Sequence, residues 1–165
     1  METHIVGAVR ELSRPEAEAI LARNHVGRIA FAQGNGVDVE PIHYVWDAGW
    51  LYGRTSPGGK LEVLRHRYWV AFEVDEAEHL LSWRSVVVRG GFYTLPADGA
   101  AWQRSASEHA RTLLQRLLPG SFTPADPTPW RSVLFRIAAQ EVVGREAFCP
   151  QLPRRGAAAP LLVPA

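Results

Sequence analysis

About six strand-like runs, most of them joined by short turns, predict a mainly β fold with flanking helices. An antiparallel barrel or a strongly bent sheet fits them, because Gly90-Gly91 interrupts the longest run, Ser85 to Leu95, where a bulge or a corner belongs. The helix signals fall at the ends of the chain and in one crossover, which leaves the strands to form the body of the fold. A barrel closes its own edges and leaves clefts at its rim or at a dimer seam.

Taken in order, Ser13 with Glu16 forms a capping-box pair, and Pro15 sits in the first turn, where its missing N–H costs little. The helix started there carries Ala17, Ile20 and Leu21 inward and ends near Asn24. Gly27 to Gln33 reads as a strand, Gly34-Asn35-Gly36 as a tight turn, and Val37 to Trp46 as the returning strand of a hairpin. Asp47-Ala48-Gly49 turns the chain into Trp50 to Thr55, which completes a meander. Leu61 to His66 is a short helix. Tyr68 to Val74 is a strand with Tyr68, Val70, Phe72 and Val74 on one face, followed by an acidic turn from Asp75 to His79. Asp98 is placed to cap a helix reaching about Leu118, with Ala106, Ala110, Leu113, Leu114 and Leu117 as its apolar stripe and Pro119-Gly120 as its stop. Val133 to Val143 reads as the final strand. Residues 1–148 are thus expected to form one domain, and 149–165, rich in Pro, Ala and Arg, a tail.

A chain of 165 residues, 47% hydrophobic and 21% charged, can bury a real core, and its net charge of +1 gives no pull toward nucleic acid or a membrane. Cys149 is the single cysteine, so no internal disulfide is possible. It has no nearby activating histidine and reads as inert. No basic n-region with an apolar core opens the chain, and no stretch is long enough to span a bilayer. These readings predict a cytoplasmic protein.

The most informative run is Tyr52-Gly53-Arg54-Thr55-Ser56-Pro57-Gly58-Gly59-Lys60, which ends on the only lysine. A strand pattern leads straight into a guanidinium, two hydroxyls, a flexible turn and an ammonium. Those groups suit a phosphate monoester, which wants charge-assisted donors and backbone amides that can approach closely. The competing reading is a polar hairpin end followed by a helix start. A nucleoside triphosphate loop is excluded, because Arg54 stands where its first glycine belongs and Leu61 replaces the magnesium-binding hydroxyl.

Other chemistry finds little support. The six histidines never fall at metal-ligand spacing, and Glu76-Ala77-Glu78-His79 reads as an exposed acidic turn. No Gly-x-Ser-x-Gly elbow is present. His43, in the strand segment Glu40-Pro41-Ile42-His43-Tyr44, is either a half-buried histidine bonded to a carbonyl or a donor and proton relay beside a bound ring. His66 reads as exposed at a helix C-terminus. Trp50, Trp69 and Trp83 are core candidates, with one or two tryptophans free to stack on a flat ligand.

Five segments, in order, resemble the pyridoxamine 5′-phosphate oxidase-like, FMN-binding split-barrel family. They are Val26 to Phe31, Glu40 to Tyr44, Gly49 to Leu61, Val70 to Asp75 and Trp83 to Gly90. The likeness spans roughly residues 12 to 147 and is greatest toward the branch that includes nitroimidazole-resistance reductases. It implies a six-stranded split barrel, a homodimer, and FMN at the subunit seam. Arg54, Thr55 and Lys60 would then hold the FMN phosphate with help from Ser56, and the backbone around Pro41, Ile42, His43 and Tyr44 would lie along the flavin ring. Trp83, Ser85 and Val86 match a pocket-lining segment, contributed in relatives by either subunit. Thr55 replaces an expected serine and keeps its hydroxyl, whereas Gly53 replaces a bulkier residue, which predicts a looser pocket. The basic residues that hold a B6 substrate phosphate have no equivalent.

The resulting expectation is an FMN-dependent oxidoreductase that passes electrons from a nicotinamide cofactor to a small organic acceptor. The flavin would carry the redox chemistry and the protein its orientation. The alternatives are a non-enzymatic flavin-storage, haem-binding or sensing protein, with His43 or His66 as haem ligand, and a protein that uses a deazaflavin.

Overall fold

The structure, a computed structural model, describes residues 7–66 and 68–149. The tail expected at 149–165 lies outside the described residues except for Cys149, which is buried. Eight strands and three helices follow one another as β1 (Ala8–Leu12), α1 (Arg14–Arg23), β2 (Val26–Gln33), β3 (Gly36–Asp47), β4 (Trp50–Thr55), α2 (Gly59–His66), β5 (Trp69–His79), β6 (Ser82–Thr94), α3 (Ala101–Leu117), β7 (Val133–Ala138) and β8 (Glu141–Phe148).

All the pairings are antiparallel, and the sheet order β1-β8-β6-β5-β2-β3-β4-β7 is closed by an additional β6–β7 pairing. β2 through β7 therefore form the expected six-stranded ring, and β8 and β1 extend the sheet outside it. The ring splits on β6. Its first part, Trp83 to Arg89, pairs with β8, and its last, Phe92 to Thr94, pairs with β7. Gly90 lies at the changeover, where an added Cβ would stand 1.7 Å from the carbonyl oxygen of Ala138. No side chain fits at that corner, which is the physical reason for the glycine.

Three expectations change. Asp75 to His79 is not a turn but the second half of β5, paired with Ser82 to Ser85 of β6, so its charges lie along a strand. The run Val133 to Val143 is broken at Ala139-Gln140, where the chain leaves the ring and becomes β8. Helix α3 starts at Ala101 rather than at an Asp98 cap, because the Gln103 side chain accepts the Ala100 N–H at 2.8 Å and supplies that end. β1 was absent from the sequence reading. It is held by β8, far along the chain, rather than by a pattern of its own.

The main core fills the ring with Ile29, Ile42, Tyr44, Leu51, Phe72, Val86 and Phe135, closed by Ile20 and Leu21 of α1 and Leu61 and Leu64 of α2. A second cluster lies under α3, where Ala106, Ala110 and Leu114 cover Tyr52, Leu95 and Leu134. Trp69 is 47% exposed and so is not a core residue, while Trp50 and Trp83 are half-buried.

Candidate functional site

Strand alternation decides what each predicted site residue can do. On β3, Ile42 and Tyr44 point into the core and Pro41 and His43 point out. Tyr44 spends its hydroxyl on the Leu21 carbonyl at 2.8 Å, which leaves its backbone, as the resemblance implies, for a role along a flavin ring. On β4, Tyr52 belongs to the cluster under α3, so Arg54, two residues on, emerges on that same outer face. Thr55, at the strand's end, is buried to 5% exposure.

The Arg54 guanidinium is buried, and it is already engaged. It donates to both Asp126 carboxylate oxygens at 2.6 and 2.9 Å, to the Thr128 hydroxyl at 2.8 Å and to the Ser121 hydroxyl at 3.2 Å. Phe122, in the left-handed region at φ 64°, stacks beneath it with 4.9 Å between the guanidinium carbon and the ring centroid. Arg54 thus tethers the loop between α3 and β7. Asp126 also accepts the N–H of Phe122 at 2.7 Å and of Thr128 at 2.9 Å, and the Arg54 bonds hold its carboxyl far below the usual range. Lys60 is ion-paired with Glu40 across the cleft.

Between these ion pairs lies a cleft of about 290 Å³ lined by Glu40 to Ile42, Arg54 to Lys60 and Arg131. Three donors in it have no side-chain partner among the described residues: the Thr55 and Ser56 hydroxyls and the Arg131 guanidinium. α2 begins at Gly59 on the cleft wall, and neither Gly58 nor Gly59 carries a side chain to keep a ligand from its amides. Two free hydroxyls, a free guanidinium, an ammonium and open helix-start amides fit a phosphate group.

A second, largely apolar cleft of about 430 Å³ adjoins it and shares Arg54 and Arg131. Its walls include His25, Val26, His43, Leu114, Leu117 and Leu118. Loss of water there, with the charges of Arg131 and Arg54, pushes the His43 imidazole below its ordinary value of 6.5. That shift favours the neutral ring, which can accept a proton. It makes no side-chain bond to a carbonyl among the described residues, unlike the buried alternative read from sequence.

Trp83, Ser85 and Val86 do not line either cleft of this chain. They sit on β6 between β5 and β8, with the Ser85 hydroxyl donating to Glu73 at 3.1 Å and the Val86 side chain fully buried in the ring core. Gly53 does not loosen the pocket. An added Cβ would meet the Phe135 ring at 2.4 Å and the His43 carbonyl oxygen at 2.9 Å, so the aromatic ring occupies the space a bulkier residue would take.

Arg131 and Asp126 escaped the sequence reading. Both lie in the proline-rich segment before β7, and only the pairing of Val133 with Thr55 brings that segment to the end of β4. No local motif carries that information.

Comparison with known proteins gives the same architecture a family. The family model described as pyridoxamine 5′-phosphate oxidase matches residues 13–146. An uncharacterised protein of Rhizobium meliloti (strain 1021) is 28% identical over 148 residues, spanning 87% of this chain and 90% of its own. The crystal structure of a FAD-binding protein from Mesorhizobium loti is 33% identical, with a TM-score of 0.68, covering 86% of this chain and 98% of that one. A candidate 5-nitroimidazole antibiotic resistance protein from Bacteroides thetaiotaomicron shares the fold at a TM-score of 0.67 and 15% identity, covering 90% and 95% of the two chains. With its split barrel and with a model match over most of its length, the chain belongs to the pyridoxamine 5′-phosphate oxidase family.

Proposed function

We propose that this protein binds a flavin, held by its phosphate in the cleft at the end of β4, and works as a flavin-dependent oxidoreductase. The observation that carries this reading is the set of uncommitted donors, Thr55, Ser56 and Arg131, facing one cleft beside Lys60 and the start of α2. The apolar cleft that shares Arg54 and Arg131 would take the ring, and His43 on its wall would exchange a proton with substrate. The FAD-binding relative from Mesorhizobium loti supports the cofactor class. When bound, the flavin supplies electron transfer between a nicotinamide cofactor and a small organic acceptor, nitroaromatics included. The chain's own residues bind, orient and exclude water. A homodimer would bring Trp83 and Ser85 of a second copy against the exposed mouth of the apolar cleft.

The test is the visible spectrum of the purified protein after gel filtration, with FMN and then FAD added. Flavin bands should travel with the protein. Thr55→Val, which keeps shape and removes the hydroxyl, should weaken flavin binding about tenfold or more, since a hydrogen bond to a charged group is worth about 1.5–3 kcal/mol. Wild-type affinity in that variant sinks the phosphate assignment. His43→Ala should retain flavin and slow turnover.

A second reading, haem, is favoured by one observation. His25 and His43 face the same apolar cleft, whereas His66 does not line it. Haemin whose absorption is unchanged by the protein removes that reading.

A further inference from the structure

The Nε of Arg136, on β7, is sealed from solvent and has no hydrogen-bond partner, the one such side-chain nitrogen or oxygen among the described residues. The guanidinium is packed against rings instead, 3.8 Å from the Trp50 centroid and 4.9 Å from that of Trp102. No carboxylate pairs with it among the described residues. A half-buried charge without a counter-ion is costly, and an anion brought near it offsets part of that cost.

Beside it lies a cleft of about 300 Å³ between the end of α2 and the start of α3. Tyr93, the cross-strand partner of Arg136, is on its wall, with a ring centroid 6.2 Å from that of Tyr68 and 6.1 Å from that of Trp102. Tyr68 and Trp102 line the same cleft and stay 54% and 46% exposed, a large aromatic area left to water. The cleft shares no lining residue with the phosphate cleft or the apolar groove. Trp50 stands at the opposite end of β4 from Thr55, about 17 Å away along the strand. We infer that this cleft is a second small-molecule site, independent of the flavin proposed above, and that its ligand is an aromatic carboxylate.

Charge selects that class. Rings alone would also take a neutral aromatic or an organic cation. No Asp or Glu lines this cleft, whereas Arg65 is on its wall and Arg136 lies behind Tyr93 and Trp102. Both guanidiniums repel a cation and attract an anion, and the Arg136 field crosses rings rather than water, so it is weakly screened. Arg65 pairs with Glu62 at 2.9 Å, but the two side chains are 62% and 66% exposed. A pair that open is worth little, so Arg65 is free to turn to a ligand carboxylate. The volume lies at the lower end for ligand clefts and admits one ring or two fused rings.

The experiment measures binding of three probes that share a ring system and differ in charge, 2-naphthoate, 2-naphthylmethanol and 2-naphthylmethylammonium, by isothermal titration on the whole protein. The carboxylate is expected to bind about tenfold or more tightly than the ammonium, with the alcohol between them. Tyr68→Ala, at an exposed position, should weaken carboxylate and alcohol alike by about fivefold or more. Arg136→Met keeps an unbranched stem against Trp50 and should lower the carboxylate's affinity to that of the alcohol. Arg65→Gln should do so in part, and because Arg65 is exposed it carries the charge test if Arg136→Met does not fold. No binding of the carboxylate, equal affinity for all three probes, or carboxylate binding that survives Tyr68→Ala overturns the site. A carboxylate preference untouched by the arginine variants overturns the choice of ligand.

Discussion

Two polar clefts of this barrel are built around buried carboxylates, and they end differently. Over β1, β6 and β8, Glu146 is 3% exposed and accepts Arg10 Nε at 2.7 Å and Arg84 Nε at 2.9 Å. Glu16 pairs with Arg10, and Glu76 with Arg23, so each charged residue lining that cleft of about 410 Å³ is already neutralised. At the end of β4, Asp126 holds Arg54 as firmly, yet Arg131 and the Thr55 hydroxyl stay unspent beside it. A saturated cluster sews strands together. A cluster with uncommitted donors at its edge is a place for a ligand, and volume alone would have ranked the two the wrong way round.

The largest effect should come from cutting the second cluster at its base. Asp126→Ala removes four accepted hydrogen bonds and strands Arg54, whose side chain is only 8% exposed. An unpaired buried cation is costly, and the melting temperature should fall by about 10 °C. Because the folded Asp126 carboxyl titrates below its ordinary value of 3.8, its stabilisation is fully present above that pH and fades as pH drops through the folded value. Wild type and variant should therefore converge in acid. A loss of only a degree or two at neutral pH would show that Arg54 does not depend on this loop.

Glu146→Gln probes the other cluster. Arg10 and Arg84 are partly exposed and can turn to water, so the expected loss is about 2 kcal/mol, or roughly 5 °C. Flavin affinity should be unchanged. If affinity falls with stability, the two clusters are not separable and the contrast drawn between them fails.

This contrast also marks what the sequence could disclose. The run from Arg54 to Lys60 lines one cleft, since a strand, a glycine turn and a helix start are local features that dictate their own geometry. Gly90 likewise announced the barrel corner. What stayed hidden is non-local. Nothing near Arg54 foretells a carboxylate from the loop at Asp126, and nothing near Asp75 shows that its acidic run is paired strand. Gly53 misled because its meaning depends on the Phe135 ring, which reaches it only through the pairing of β4 with β7.

A smaller effect should come from Glu40. Its carboxylate pairs with the Lys60 ammonium at the mouth of the cleft, both groups keeping some contact with solvent. A bound phosphate must compete with it. Glu40→Gln should therefore tighten flavin binding about threefold at low salt, less at high salt, with little change in stability. Isothermal titration at two ionic strengths checks the sign. Weaker binding in this variant would mean that Glu40 orients Lys60 rather than occupying it.

The subtlest test reads the uncommitted donor directly. His43 is held below 6.5 first by lost hydration, then by Arg131, and then by Arg54. Arg54 shares its charge with Asp126, whereas Arg131 has no ion-pair partner among the described residues, so Arg131 should be the stronger of the two influences. Arg131→Gln should thus raise the His43 value by a fraction of a pH unit, measured by NMR titration of the ring proton. The sign carries into stability. A depressed histidine makes the unfolded chain the better proton binder, so stability rises with pH from the folded value up to about 6.5, and the variant should flatten that rise. Inorganic phosphate added to wild type should mimic the substitution, because an anion beside Arg131 cancels the same field. A His43 value that ignores both perturbations would place Arg131 away from the groove, and with it would go the claim that the clefts beside β4 share an anion-binding arginine.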